Sequence, residues 1–230
     1  MDNITIDFIT TACNRPELLN KTYSSFVSKL KGINFMKSTL YINIDPAPNN
    51  NEFSKMVEIA KRFFGNVVVN NPETPNFAKA VKWCTSQTKE KYVFYLEDDW
   101  TLSQDINIQD LIKILENDST IKKVQLRNKH VSNNCPGNKD RFGLPPGLWD
   151  AEFLRNFSKT MNGNINPESQ IVQYQRNLRK EGTEVKKVIY GDEIIIHDIG
   201  RWWLKQNKLK RDYNNNEDKW SPWITWKKSN

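Results

Sequence analysis

The chain has 230 residues, 37% of them hydrophobic, with eight Trp and eleven Phe, which is enough for a core in one large domain or two small ones. Lys and Arg outnumber Asp and Glu by 34 to 27, a net charge of +7 that suits an anionic partner without choosing among nucleotide, nucleic acid, acidic glycan and membrane surface. Three scattered cysteines (Cys13, Cys84, Cys135) exclude a disulfide framework and a zinc knuckle, and no apolar run approaches the ~20 residues that cross a bilayer. Asp2 and Asp7 stand where a signal peptide would be basic and then apolar, so a cytoplasmic protein is expected and the sequon Asn20-Lys21-Thr22 is read as idle.

Ile4 to Thr10 alternates and is β-branched, which predicts a first strand. Pro16 and Glu17 then suit a first helical turn: proline lacks an N–H that would go unused there, and the carboxylate favours the positive helix end. Leu18, Leu19, Tyr23, Phe26, Val27 and Leu30 follow at helical spacing. Thr39–Ile44 reads as a strand closed by Asp45-Pro46, Glu52–Phe64 as a helix, Val67–Val69 as a strand and Phe77–Thr88 as a helix with Ala80, Val81 and Cys84 inward. Tyr92–Leu96 is a strand buried on both faces that runs into Glu97-Asp98-Asp99-Trp100. This β-α-β-α-β-α-β order predicts a parallel sheet with helices on its faces.

Beyond residue 100 the pattern loosens. Asn107–Glu116 reads as a helix and Lys123–Arg127 as a strand. Residues 128–146, rich in Asn, Gly and Pro, read as a long loop. Leu148–Phe157 leads into a helix, Pro167 opens another to about Lys180, Val185–Tyr190 and Glu193–His197 read as strands, and Arg201–Lys208 as a last helix. A tail follows with Trp220, Trp223 and Trp226 at three-residue intervals. No linker divides the chain, so one domain over 1–230 is expected, in halves at 1–100 and 101–208 with the Trp-rich tail at 209–230.

Three adjacent carboxylates repel one another and are tolerable facing water or a cation. Their oxygens suit Mg²⁺ or Mn²⁺, ions that in turn hold phosphates. Open α/β sheets place ligands at the carboxyl ends of their strands, where this cluster falls. A solvated acidic turn is the alternative.

Four separated elements, Thr10-Thr11-Ala12 with Arg15-Pro16, Asp45, Glu97-Asp98-Asp99, and His197-Asp198-Ile199-Gly200-Arg201, together resemble a nucleotide-sugar glycosyltransferase of the GT-A fold, in the style of the small family-2-like enzymes. The resemblance covers most of residues 4–204. It implies an α/β Rossmann-like fold with a mostly parallel central sheet flanked by helices and a smaller acceptor-side region. It also implies a DXD-like metal motif, Mn²⁺ or Mg²⁺ as cofactor, and transfer from a nucleotide-diphosphate sugar, a UDP-sugar by preference, to a glycan or other hydroxyl acceptor.

Carried onto this sequence, the resemblance makes Asp99 the main metal ligand, with Glu97, where an Asp is more usual, between metal and ribose, and with His197 as a further ligand. Asp98 would face the donor sugar. Thr10, Thr11, Ala12 and Arg15 would line the nucleobase and ribose, and Asp45 would contact base or ribose hydroxyls. Asn76, Lys79 and Arg201 would serve the base and phosphates. On the acceptor side Trp149 would stack on a sugar. Glu168, after Asn166-Pro167, would be the base of an inverting mechanism, with Asp150 second. Ser169 stands where a second acid is usual, which leaves a retaining mechanism open.

Two other readings compete. A sugar nucleotidyltransferase would open with a glycine-rich phosphate loop, and residues 10–17 contain no Gly. A non-catalytic nucleic-acid- or glycan-binding module would rest on the basic charge and on the aromatic tail, which could also touch a membrane surface, but no nucleic-acid motif is present, so none is expected as a partner.

Overall fold

The structure, a computed structural model, describes residues 4–47, 52–129, 141–212 and 225–228. Trp220, Trp223 and Cys135 lie outside these residues. In chain order the elements are β1 (Asp7–Cys13), α1 (Pro16–Lys29), β2 (Leu30–Lys31), β3 (Thr39–Asp45), α2 (Phe53–Phe63), β4 (Asn66–Asn70), α3 (Phe77–Gln87), β5 (Tyr92–Tyr95), β6 (Trp100–Leu102), β7 (Ile106–Asn107) and α4 (Ile108–Asn117). They continue with β8 (Ile121–Leu126), β9 (Gly147–Asp150), α5 (Ala151–Thr160), α6 (Pro167–Lys180), β10 (Lys186–Tyr190), β11 (Ile196–Asp198), α7 (Gly200–Gln206), β12 (Leu209–Asp212) and β13 (Thr225–Lys228).

Seven strands form the central sheet in the order β10-β8-β9-β5-β1-β3-β4. β1 pairs in parallel with β3 and β5, β3 with β4, and β8 with β10. β9 runs antiparallel to both β5 and β8 and so inserts between two parallel blocks. Its first residue, Gly147, crosses so closely that a Cβ there would lie 2.4 Å from the Val124 carbonyl oxygen.

Period-two alternation sends each strand's side chains to two separate cores. Phe8, Leu40 and Phe94 face α1, α2 and α4, where Phe8 sits among Phe35, Phe64 and Phe94 at ring distances of 5.1–5.6 Å. Ile9, Tyr41, Val93 and Tyr95 face α3, α5 and α6. Pro16 opens α1 as its sequence predicts, and Asn76, Asp150 and Asn166 cap α3, α5 and α6 by accepting from the backbone N–H of Lys79, Phe153 and Glu168. The strand expected at Glu193–His197 is shorter, Ile196–Asp198, and pairs antiparallel with β6, joining Asp198 to Trp100 in register. Trp226 lies in β13, which pairs with β12. Among the described residues no helix is long and apolar enough to cross a membrane.

Candidate active site at the carboxyl edge of the sheet

Because β1, β3 and β5 are parallel, their carboxyl ends share one edge, which gathers Cys13 to Arg15, Asp45 and the Glu97–Asp99 turn. Arg15 is 4% exposed. Its Nη2 donates to Asp98 Oδ1 at 2.6 Å and to Asp99 Oδ2 at 3.1 Å, and its Nε to Asp98 Oδ2 at 3.2 Å. The Cys13 N–H also donates to Asp98 Oδ2, and the Thr22 hydroxyl to the Asp98 carbonyl at 2.8 Å. Burial works against the Arg15 charge, yet Asp98 and Asp99 override it and hold the guanidinium more firmly protonated than usual. Asp98 therefore turns inward onto Arg15, and Arg15 turns onto the acidic turn, with the Trp203 ring 5.6 Å away on its other side.

Asp45 is held from two sides. Asn43 Nδ2 donates to its Oδ1 at 2.7 Å and the Asn76 N–H to its Oδ2 at 3.1 Å, while Asn70 in turn donates to Asn43 at 2.6 Å. Burial pushes the Asp45 carboxyl up to about 6 against these two bonds. Asn76, besides capping α3, donates to the Gly163 carbonyl, and Lys79 is exposed with its stem beside Gly163. Thr10 and Ala12 are buried, Ala12 in the core beneath α1, whereas the Thr11 hydroxyl lies 3.0 Å from Tyr95 Oη on the opposite face.

Glu97 is half-buried and accepts from Trp100 Nε1 at 2.9 Å and from the Tyr95 hydroxyl. Burial, then the charge of Asp99, pushes its carboxyl up to about 8, with Glu168 and Asp98 adding to the effect. Asp99 is pressed against the start of α7: a Cβ on Gly200 would lie 2.2 Å from Asp99 Oδ2, and the Ile199 N–H donates to the Asp99 carbonyl at 2.8 Å. Gly200 is thus a cradle for this carboxylate. The family-like motif that contains it gave the only signal for it in the sequence.

Glu97 and Asp99 are hard oxygen donors crowded enough to repel, which fits a divalent cation. The remaining expected ligand does not join them. His197 is exposed on β11, and among the described residues no group of three or more His, Cys, Asp or Glu is arranged to hold a metal ion. Arg201 is exposed and pairs with Asp198 at 3.2 Å, and Asp198 accepts from the Gly200 and Arg201 N–H groups.

On the acceptor side the expected residues separate. Trp149 is fully buried, packed against Phe142 at 5.6 Å and Phe153 at 6.3 Å and with Lys123 Nζ 4.5 Å from its ring centroid, so it is not open to a sugar. Asp150 caps α5 and bonds Lys122 at 3.2 Å, a structural use of its carboxylate. Glu168 is exposed at the first turn of α6, and its Oε1 accepts from the Leu144 N–H at 3.2 Å. A groove of about 460 Å³, lined by Lys21, Ser25, Thr101 and Trp202 among others, contains none of the candidate residues.

No protein-family model and no curated protein sequence matches the chain. Solved structures do match its fold. The crystal structure of S. aureus TarS aligns with a TM-score of 0.60 at 10% identity, covering 85% of this chain and 36% of that one. TarS 1–349 in complex with UDP-GlcNAc aligns at 0.56 and 11% identity, covering 84% and 58%. The mannosyltransferase PcManGT from Pyrobaculum calidifontis, in complex with GDP-Man and Mn²⁺, aligns at 0.62 and 8% identity, covering 90% and 62%. The chain thus has the mixed α/β, GT-A-like architecture expected from its sequence, and it spans between about a third and two thirds of the length of these proteins.

Proposed function

We propose that the protein transfers a glycosyl group from a nucleotide-diphosphate sugar, a UDP-sugar by preference, to a hydroxyl acceptor. The observation that carries this reading is the meeting of Asp45, the Arg15-bound acidic turn and Glu97 at one carboxyl edge of a GT-A-like sheet. The fold neighbours solved with UDP-GlcNAc and with GDP-Man and Mn²⁺ support it.

In this reading Asp45, fixed by Asn43 and Asn76, accepts hydrogen bonds from the base or ribose of the donor. Glu97 and Asp99 would hold Mn²⁺ or Mg²⁺, which would supply positive charge for the departing diphosphate. His197 stands outside that set, because its side chain faces solvent. Asp98 acts at one remove, keeping Arg15 in place so that the guanidinium fixes the Asp99 carboxylate. Glu168 takes the proton of the acceptor hydroxyl as that oxygen attacks the anomeric carbon, which inverts the configuration. The domain halves expected from the sequence remain part of this proposal.

A ligand screen tests it. The protein is melted with UDP, GDP, CMP and dTDP and their sugars, in Mn²⁺, Mg²⁺ or EDTA. A ligand at about 100 times its dissociation constant adds roughly 2.7 kcal/mol of stability. Stabilisation by one nucleotide sugar that disappears in EDTA is the expected result. Stabilisation by a nucleoside triphosphate alone, with pyrophosphate released from triphosphate and sugar phosphate, would replace transfer with nucleotidyl transfer.

A further inference from the structure

Lys123 belongs to β8, between β10 and β9 in the sheet, and is 0% exposed. Its Nζ donates to the carbonyls of Gly143 and Pro145 at 2.7 and 2.8 Å and lies 4.5 Å from the centroid of the Trp149 ring. Lysine is among the side chains least often fully buried unless paired, and here it is paired with neutral dipoles and a ring face.

The two carbonyls belong to the segment that meets Glu168. The C=O of Gly143 and the N–H of Leu144 are the two ends of one peptide unit, and a planar trans peptide points them in opposite directions. The described residues contain no cis peptide bond. The carbonyl end of this unit accepts from Lys123, and the amide end donates to Glu168 Oε1 at 3.2 Å. A Cβ at Gly143 would stand 3.5 Å from Glu168 Oε1, in ordinary contact, so the carboxylate lies directly beside this peptide.

We propose that Lys123 is a positioning residue for Glu168, acting through the Gly143–Leu144 peptide. This rests on Glu168 being the base. Held at two carbonyls, Lys123 fixes the plane of that peptide and polarises it, which makes the Leu144 N–H a stronger donor. Glu168, on the exposed first turn of α6, is thereby held with one oxygen on Leu144. The charged groups that act on Lys123 are Lys187 of β10, which disfavours its charge, and Glu168 and Glu97, which favour it. The clamp works in either protonation state: an ammonium has three N–H donors and an amine two, and two carbonyls wait for them.

The test reads the Leu144 amide in a ¹H–¹⁵N spectrum of the full chain. In Lys123→Met and in Glu168→Gln the Leu144 amide proton moves upfield, while amides of β1 and β3 stay in place. A Leu144 amide unmoved by Lys123→Met overturns the proposal. If the Met variant does not fold, Lys123→Gln, with two N–H donors on a shorter neutral chain, is expected to move the same resonance. Kinetics supply the second readout, nucleoside diphosphate released from UDP-GlcNAc or GDP-Man. Lys123→Met lowers kcat by about tenfold or more with donor KM unchanged, and costs nothing further in a Glu168→Gln background. Losses that multiply in the double variant overturn it. Full turnover by Glu168→Gln sinks the base assignment, and the Leu144 shift still decides the link between Lys123 and Glu168.

Discussion

Arg15 and Lys123 are both buried cations in the sheet region, and the protein satisfies them by opposite means. Arg15, after β1, is matched by two carboxylates, one of them engaged through two nitrogens. Lys123, in β8, meets two carbonyl oxygens and an indole face. Burial pulls the Lys123 charge well below the ordinary lysine range, while Asp98 and Asp99 hold Arg15 above its own. At the donor edge charge is balanced by charge. On the acceptor side it is balanced by dipoles. In the proposed function the first arrangement fixes the region that would receive the donor diphosphate. The second fixes a loop without adding net negative charge beside Glu168.

The difference can be broken by truncation. Arg15→Met leaves Asp98 and Asp99 buried together without their cation, and breaking such a pair costs about 3–5 kcal/mol. Lys123→Met leaves two carbonyls short of a donor, a cost of about 1–3 kcal/mol. Urea midpoints measured side by side decide it, and equal losses would erase the contrast drawn above. On activity, Glu168→Gln should lower turnover by about 10²–10⁴-fold with donor binding intact, checked by calorimetric titration of the donor. If transfer persists, the base lies elsewhere or the mechanism retains configuration.

Two smaller effects sharpen the donor side. Gly200→Ala drives a methyl group into Asp99 Oδ2, so donor affinity in Mn²⁺ should fall by roughly tenfold, about 1.4 kcal/mol. Unchanged affinity would remove Asp99 from the donor site. The last concerns pH. Glu97 titrates near 8 in the folded chain against an ordinary value of 4.5, so the folded state keeps this proton longer than the unfolded one. The stability it contributes is complete below about 4.5 and is lost as pH rises through about 8. Melting temperature should therefore decline across that window in the native protein and decline less in Glu97→Gln. Parallel profiles would show that Glu97 is not the group responsible.

Much of this architecture could be read from residue order. Pro16 at the start of α1, the alternation of β1, the doubly buried run of β5, and the Pro167 start of α6 are local signals, and each element appears within a residue or two of its expected place apart from β1, which begins at Asp7. What was not legible depends on partners far along the chain. Leu148 and Trp149 carry no sign that they fill a slot between β5 and β8. Trp149 reads as a sugar platform or as core, and its full burial against Phe142, Phe153 and Lys123 decides for core. Lys123 lies in Ile121-Lys122-Lys123-Val124, where either lysine could face out, and the two carbonyls that bury it belong to residues 143 and 145. The acidic triplet pointed to the correct edge of the sheet. Its spacing did not reveal that Asp98 belongs to Arg15.

β9 has a consequence for biosynthesis. Its four residues are the seam between a block of strands made early and a pair made late. Until Gly147–Asp150 leaves the ribosome, β5 has an unpaired flank and β8 has no route to the rest of the sheet. Such open flanks invite pairing with other chains. A nascent chain halted before residue 147 thus carries open flanks on both blocks, and the entry of this short strand joins them, leaving the outer flank of β8 for β10.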